Sequence, residues 1–162
     1  MGRIYAVPYT GTIATNSGAA CDLIEILPAD DKPIKLRGWA LSQSSEVGDA
    51  AEENLRISVV RLGATVTSGS GGSAVTPVPM DSADAAAGFA AECNNTSVAT
   101  SSGTTTVIEE YGWNERNTPY EHWYPDERFC PKAKQGEALV VRRQSTLADT
   151  ITAELTFWVE EE

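Results

Sequence analysis

The 162-residue sequence has few basic residues, one histidine and few cysteines, and each shortage excludes a class of function. Twelve lysines and arginines stand against 23 aspartates and glutamates, so the formal charge is −11, the opposite of a surface that binds nucleic acid. His122 is the single histidine, so a metal centre that needs two or three histidines cannot form within one chain. We therefore expect no nucleic-acid partner, no metal ion and no other cofactor.

The cysteines and the apolar runs are equally sparse. Cys21, Cys93 and Cys130 are far apart and form no C-x-x-C pair, so we expect buried free thiols, with one disulfide and one free thiol as the alternative in an oxidising setting. No uninterrupted apolar run approaches the roughly 18 residues of a membrane span. Residues 1–8 also lack the apolar core of a signal peptide. We expect no membrane partner and no export by that route.

What the sequence does contain is a series of β-strand patterns separated by turn residues. Alternation of apolar and polar residues is clearest near the C-terminus, where the apolar members are Ile151, Ala153, Leu155, Phe157 and Val159. Similar patterns predict strands over 4–13, 21–27, 33–43, 55–62, 104–113 and 137–144. The fold class is therefore all-β.

The loops between these strands differ greatly in length, which favours two packed sheets over a regular barrel. Residues 137–144 and 151–160 are expected to close the fold as a tight terminal hairpin. The best prediction is a single-domain, jelly-roll-like antiparallel β-sandwich with long loops, and an immunoglobulin-like sandwich is the alternative. We assign residues 21–162 to the sandwich, and residues 1–20 to an N-terminal arm or, equally, to an ordinary first strand.

The middle of the chain is harder to interpret. Short helices are the candidates over 47–54 and over 81–92, where three consecutive alanines favour helix. The Gly/Ser-rich residues 65–73 predict an exposed loop, with a flexible linker as the alternative. No lysine or arginine occurs between 62 and 115. This acidic stretch is either a solvated surface or a face that meets a basic partner.

Residues 111–129 hold half of the chain's aromatic side chains, interleaved with acidic residues and arginine. Such residue types form interface hot spots, sugar-stacking platforms, or the packed lid of a core, and all three alternatives stay open. Trp39 and Trp158 are expected at sandwich positions or at an interface. The residues that we expect at an interface are Tyr5, Tyr9, Trp113, Trp123, Tyr124 and Arg128.

Catalytic constellations are weak in this sequence. Glu109 or Glu110 with Glu121 or Asp126 would supply the two carboxylates of a glycoside hydrolase, but the spacing alone does not distinguish such a pair from the many other acidic residues. His122 and Cys130 would make a nucleophilic dyad without a third, orienting group. We therefore expect a protein that is not an enzyme.

Two segments carry a resemblance to a known family. They are residues 29–53, which begin Ala-Asp-Asp-Lys-Pro-Ile-Lys-Leu-Arg-Gly-Trp and end Glu-Glu, and residues 124–143, which begin Tyr-Pro-Asp-Glu-Arg-Phe-Cys-Pro and end Arg-Arg. They resemble the small head proteins of tailed bacteriophages, and most of all the single-domain capsid decoration, or cement, proteins. The resemblance implies a virion structural protein made in the host cytoplasm. It also implies binding to the major capsid protein on the exterior of an icosahedral shell, often as a homotrimer, without catalytic residues. The alternative is a glycan-binding module of a phage spike or fibre that uses residues 111–129.

Overall fold

The computed structural model describes residues 2–13, 20–45, 53–116 and 119–162, and β-strands make up most of its regular structure. One short 3-10 turn, Glu127–Phe129, accompanies them. The strands are β1 (Arg3–Ile13), β2 (Cys21–Leu27), β3 (Ile34–Gln43), β4 (Asn54–Leu62), β5 (Val66–Thr67), β6 (Ser73–Val75), β7 (Val78–Pro79), β8 (Ala90–Asn95), β9 (Thr100–Ser101), β10 (Thr105–Asn114), β11 (Tyr120–Trp123), β12 (Lys132–Ala133), β13 (Ala138–Arg143) and β14 (Ile151–Glu161). All seven strands predicted from the sequence are present.

Two six-stranded sheets form the sandwich. Sheet I has the order β11-β3-β14-β1-β7, with β12 pairing β3, and sheet II has the order β10-β4-β13-β2-β8-β6. The pairing is nested along the chain: β1 pairs β14, β2 pairs β13, β3 pairs β11 and β4 pairs β10, all antiparallel. The all-β sandwich is confirmed, and its jelly-roll designation stays an interpretation that this nested pairing favours.

The main core lies between the two sheets. Strand alternation places Tyr5 and Val7 of β1 inward beside Trp39 of β3, and all three are fully buried. Sheet II contributes Ile57 and Val141 to the same cluster. All three cysteines are buried free thiols, as expected.

Sheet II carries a second apolar layer on its outer face. The small sheet of β5 and β9 belongs to segments 63–72 and 96–104, here called the covering layer. Ala99 and Val66 of this layer pack with Val60 and Val140 of sheet II. Because β13 is buried on both faces, its apolar residues run consecutively instead of alternating. The predicted loop over 65–73 is therefore part of this layer and contains short strands.

The prediction of a helix over 81–92 is wrong. Residues 81–89 form turns and bends, and β8 begins at Ala90. Tertiary hydrogen bonds override the helix preference of the alanines. The Tyr5 hydroxyl donates to the Ala85 carbonyl at 3.0 Å, and the Glu161 carboxylate accepts from the Gly88 N–H at 2.8 Å. The other helix candidate, 47–54, lies outside the described residues except for its last two positions, where β4 begins at Asn54.

The prediction that residues 137–144 and 151–160 form a terminal hairpin is also wrong. Strand β13 pairs with β2 and β4 in sheet II, whereas β14 pairs with β1 and β3 in sheet I. The connection between them crosses from one sheet to the other. At the other terminus, residues 3–13 form the first strand and pair with β14 along its whole length, so this part of residues 1–20 takes the strand alternative. Among the described residues, no helix is long and apolar enough to cross a membrane.

Candidate functional site

The outer face of sheet I presents a row of apolar residues across five neighbouring strands. The strand registers pair Trp123 with Gly38, Gly38 with Trp158, Trp158 with Ala6, and Ala6 with Val78. Residues in register on adjacent strands point to the same face. We call these five residues the tryptophan row.

The two tryptophans of the row stack on each other over the glycine. The ring centroids of Trp123 and Trp158 are 4.2 Å apart, with the ring planes inclined by 30°. A Cβ atom at Gly38 would lie 2.7 Å from the Trp123 ring and 2.8 Å from the carbonyl oxygen of His122. Glycine is therefore required at the centre of the row, because any side chain there would displace the ring.

The row is open to solvent and continues into other apolar residues. Trp123 is 51% exposed although its ring is stacked, and Val78 is 50% exposed. Ile4 lies on the outer face of β1, two residues from Ala6, and its carbonyl accepts the Met80 N–H at 2.9 Å. Both Ile4 and Met80 are exposed. An exposed apolar surface of this kind is typical of a site that binds a protein partner.

Where the edges of the two sheets meet, Glu109 organises a cluster of aromatic side chains. Its Oε2 accepts hydrogen bonds from the hydroxyls of Tyr124, at 2.6 Å, and of Tyr111. The Tyr111 hydroxyl also lies 3.0 Å from Nε2 of His122. The ring of Trp39 packs against Tyr111 with a centroid separation of 5.3 Å. This cluster fixes the position of β11, and therefore of Trp123.

Both tyrosines of this cluster are neutral donors. Burial raises the pKa of Tyr124 and of Tyr111 well above the usual range, and the neighbouring negative charge of Glu109 adds to this effect. Each phenol therefore stays protonated and donates a hydrogen bond to the carboxylate. The cluster is a structural link between the sheets, because both phenols are bound to the same carboxylate of Glu109.

The structure places the two N-terminal interface candidates in or beside the core. Tyr5 is fully buried, and its ring packs edge-on against Phe89 with a centroid separation of 5.6 Å. Tyr9 is half-buried against the main core, and its hydroxyl accepts the side-chain amide of Asn94 at 3.3 Å. Packing within the protomer accounts for both rings.

The candidates from residues 111–129 divide between core and surface. Trp113 and Tyr124 are buried in the main core, in agreement with the packing alternative. Trp123 and Arg128 are exposed. Arg128 makes a two-point ion pair with Asp126, at 3.0 and 3.1 Å, and this pair lowers the pKa of the aspartate. The segment is not one loop, because its first strand belongs to sheet II and its second to sheet I. Of the residues proposed for an interface, Trp123 is the one with a large exposed apolar surface.

The catalytic candidates are engaged elsewhere. His122 contacts Tyr111, whereas the thiol of Cys130 donates to the Asp126 carbonyl at 3.7 Å. Glu109 is bound by two tyrosines, and Glu121 is exposed on the face of β11 opposite to His122. Glu110 forms an ion pair with Arg56 at 3.5 Å, and Asp126 forms one with Arg128. The dyad and the carboxylate pair thus remain unsupported by geometry.

Two buried acidic residues on sheet II escaped the sequence analysis. Asp22 is fully buried and bound to Arg142 at 2.5 and 3.1 Å, and Glu25 is buried under the covering layer. The available signal was their position within the apolar run Cys-Asp-Leu-Ile-Glu-Ile, where a charge has to be paired or bound.

Comparison of the chain with protein-family models, with curated proteins and with solved structures found no match.

Proposed function

We propose that this protein is a virion structural protein that binds the outside of an icosahedral phage capsid and reinforces or decorates it through protein–protein contacts. Its partners are the major capsid protein and further copies of itself in a homotrimer. The observation that carries the proposal is the exposed Trp123 ring, stacked on the half-buried Trp158 on sheet I. The family resemblance of residues 29–53 and 124–143 is the ground for proposing a phage capsid as the shell.

The tryptophan row has the chemistry of a protein interface. Tryptophan dominates binding hot spots because a large rigid ring buries much apolar area at a small entropic cost. Trp158 holds the Trp123 ring in place before any partner arrives, which lowers the cost of ordering it on binding. The covering layer packs on β4 and β13 at the corresponding face of sheet II, whereas Trp123 on sheet I is exposed, so we take sheet I as the docking face.

Trimer formation would use the sheet edges. In the described part of the chain, β10 pairs only with β4 and β11 only with β3, so each leaves one strand edge unpaired. Symmetric association is a common way for small β-domains to cover such edges. A trimer joined through these edges would leave the tryptophan rows of all three copies free to meet the shell.

The test has two steps. Light scattering at two concentrations measures the molar mass, and a trimer is expected. Cosedimentation with assembled shells of the major capsid protein from the same phage then measures binding.

Trp123→Ala is expected to weaken shell binding by at least about 2 kcal/mol, as loss of a hot-spot residue does. The matched control is Phe129→Ala, at an exposed aromatic residue of the 3-10 turn that belongs neither to the tryptophan row nor to an edge strand. A protein that stays monomeric and binds no shell at micromolar concentration contradicts the proposal.

The second candidate is a glycan-binding module of a spike or fibre that uses residues 111–129. The exposed face of Trp123 favours it, because a flat ring stacks on sugar rings, and the Glu121 carboxylate on the same face of β11 could accept sugar hydroxyls. This function predicts saturable binding on a sugar array that Trp123→Ala abolishes while the oligomeric state is kept. Shell binding without sugar binding excludes this candidate.

A further inference from the structure

A buried polar cluster lies beneath the covering layer, on the outer face of sheet II. Oxygen Oε2 of Glu25 accepts hydrogen bonds from the Ser68 hydroxyl at 3.1 Å, the Gly69 N–H at 2.9 Å and the Asn95 side-chain amide at 3.0 Å. The same amide donates to Glu92 Oε2 at 3.2 Å. Two carboxylates are thus held around one amide group.

Two oxygen atoms of this cluster have no hydrogen-bond partner among the residues that the structure describes. They are Glu25 Oε1 and Asn95 Oδ1, in side chains that are 1% and 0% exposed. Both atoms can only accept, so the partner they lack is a donor or a cation. A buried acceptor left unpaired costs about 1–3 kcal/mol, and more when it carries charge. Native proteins rarely tolerate two such atoms in one place without an ion or a water molecule.

The backbone adds a further oxygen beside this site. A Cβ atom at Gly72 would lie 2.4 Å from Asn95 Oδ1 and 2.3 Å from the Cys93 carbonyl oxygen. These two oxygens therefore lie close together, next to a residue that has no side chain. Together with the two carboxylates, they supply carboxylate, amide and carbonyl oxygens beside the side-chain nitrogen of Asn95.

No ion pair with a described residue balances the charge of the cluster. Neither Glu25 nor Glu92 forms an ion pair among the described residues, and the covering layer lies in the stretch from 62 to 115 that has no lysine or arginine. The nearby Arg142 is occupied by Asp22 and by the Ala99 carbonyl, at 2.8 Å.

We propose that this cluster binds a calcium ion through Glu25, Glu92 and Asn95, and that the ion ties the covering layer to sheet II. Oxygen-only ligand sets of carboxylate, amide and carbonyl groups select hard cations such as Ca²⁺ over transition metals. Among the described residues, no group of three or more His, Cys, Asp and Glu side chains could hold a metal ion, so this site depends on its amide and carbonyl oxygens. Glu92 is half-buried and Ser68 is exposed, which gives the ion a route from solvent.

The experiment uses the full chain freed of metal with EDTA. Thermal unfolding and titration calorimetry with CaCl2 are expected to show one saturable site and a melting temperature that rises with calcium concentration. Hydrogen exchange is expected to slow at residues 66–72 and 96–101 when calcium is added. Glu25→Gln should lower the calcium affinity by about tenfold or more, since affinity follows the number of charged ligands. Glu154→Gln, an exposed glutamate of β14, is the matched control and should bind calcium like the wild type.

Three outcomes overturn the proposal. One is an unchanged melting temperature at millimolar calcium, and another is an equal calcium effect in Glu25→Gln and the wild type. The third is a metal-free protein that gains stability as the pH falls toward 5 while calcium has no effect, because a proton on Glu25 then takes the place of the ion. Should Glu25→Gln fail to fold, the half-buried Glu92→Gln gives the same comparison. None of these readouts requires a capsid.

Discussion

The hydroxyl of Tyr124 donates a 2.6 Å hydrogen bond to the carboxylate of Glu109, and this bond joins the two sheets at their edges. Glu109 lies in β10 of sheet II, and Tyr124 directly follows β11 of sheet I. Because Tyr111 donates to the same oxygen, one carboxylate holds two phenols. Strand β11 has only four residues, so its position depends on this contact as well as on its pairing with β3.

Replacement of Glu109 by glutamine is expected to destabilise the fold by about 1–3 kcal/mol, because two hydrogen bonds lose their charged acceptor. Urea unfolding followed by tryptophan fluorescence measures this loss. Glu121→Gln is the control, since this side chain is exposed on the opposite face of β11. Equal stability of the two variants would contradict a structural role for Glu109.

The strands that the sequence predicted correctly are those in which local pattern and tertiary environment agree. In β14 the inward Leu155 and Phe157 alternate with the outward Thr156 and Trp158, as a strand with one buried face requires. Strand β8 was missed because the alanines before it favour helix locally. In the structure, hydrogen bonds with Tyr5 and Glu161 hold that segment in turns.

The candidate site was only partly predictable. The aromatic content of residues 111–129 identified Trp123, but it gave equal weight to Trp113 and Tyr124, which are buried. Exposure depends on which strand joins which sheet, and a run of aromatics carries no information on that. The role of Gly38 is visible only from register, since two long-range pairings place it between the tryptophans.

Stability at acidic pH should depend on Lys35. This lysine is buried, and its ammonium group contacts the carboxylates of Glu127 and Glu162, which lowers the pKa of both. A carboxyl group with a lowered pKa stabilises the fold above its ordinary pKa of about 4.3, and that contribution is lost as the pH falls through the folded-state value. Lys35→Met should therefore be less stable than the wild type at neutral pH, and the difference should shrink toward pH 3.

Chemical denaturation of both proteins at neutral and acidic pH measures this difference. Lys134→Met is the control, because this lysine is exposed and its side chain forms no ion pair among the described residues. A difference between Lys35→Met and the wild type that stays constant with pH would show that the variant loses packing alone.

The ion pair of Arg142 with Asp22 should hold the covering layer as well as sheet II. Asp22 also accepts the Ala99 N–H at 2.7 Å, and Arg142 donates to the Ala99 carbonyl. Arg142→Met leaves a buried carboxylate without its partner and should cost about 3–5 kcal/mol, with faster hydrogen exchange at residues 97–101. Asp22→Asn combined with Arg142→Met should recover part of the loss. Arg56→Met, at an exposed arginine, should change the stability little, and a loss equal to that of Arg142→Met would refute the special role of the buried pair.

The stacking of Trp123 on Trp158 should depend on the absence of a side chain at Gly38. Gly38→Ala places a Cβ atom 2.7 Å from the Trp123 ring, and the backbone of His122 behind it prevents simple relaxation. We expect the free energy of unfolding to fall by about 1–3 kcal/mol, as is typical of overpacking. We also expect the circular dichroism spectrum to lose the exciton couplet that two stacked tryptophan rings should give. Gly112→Ala is the matched control, because a Cβ atom there meets no atom of the described residues within 4 Å. If the row is the docking surface, Gly38→Ala should also weaken shell binding although no apolar side chain has been removed, whereas Gly112→Ala should bind like the wild type. An intact couplet in Gly38→Ala would mean that the sheet adjusts without moving the ring, and unchanged shell binding would then be expected.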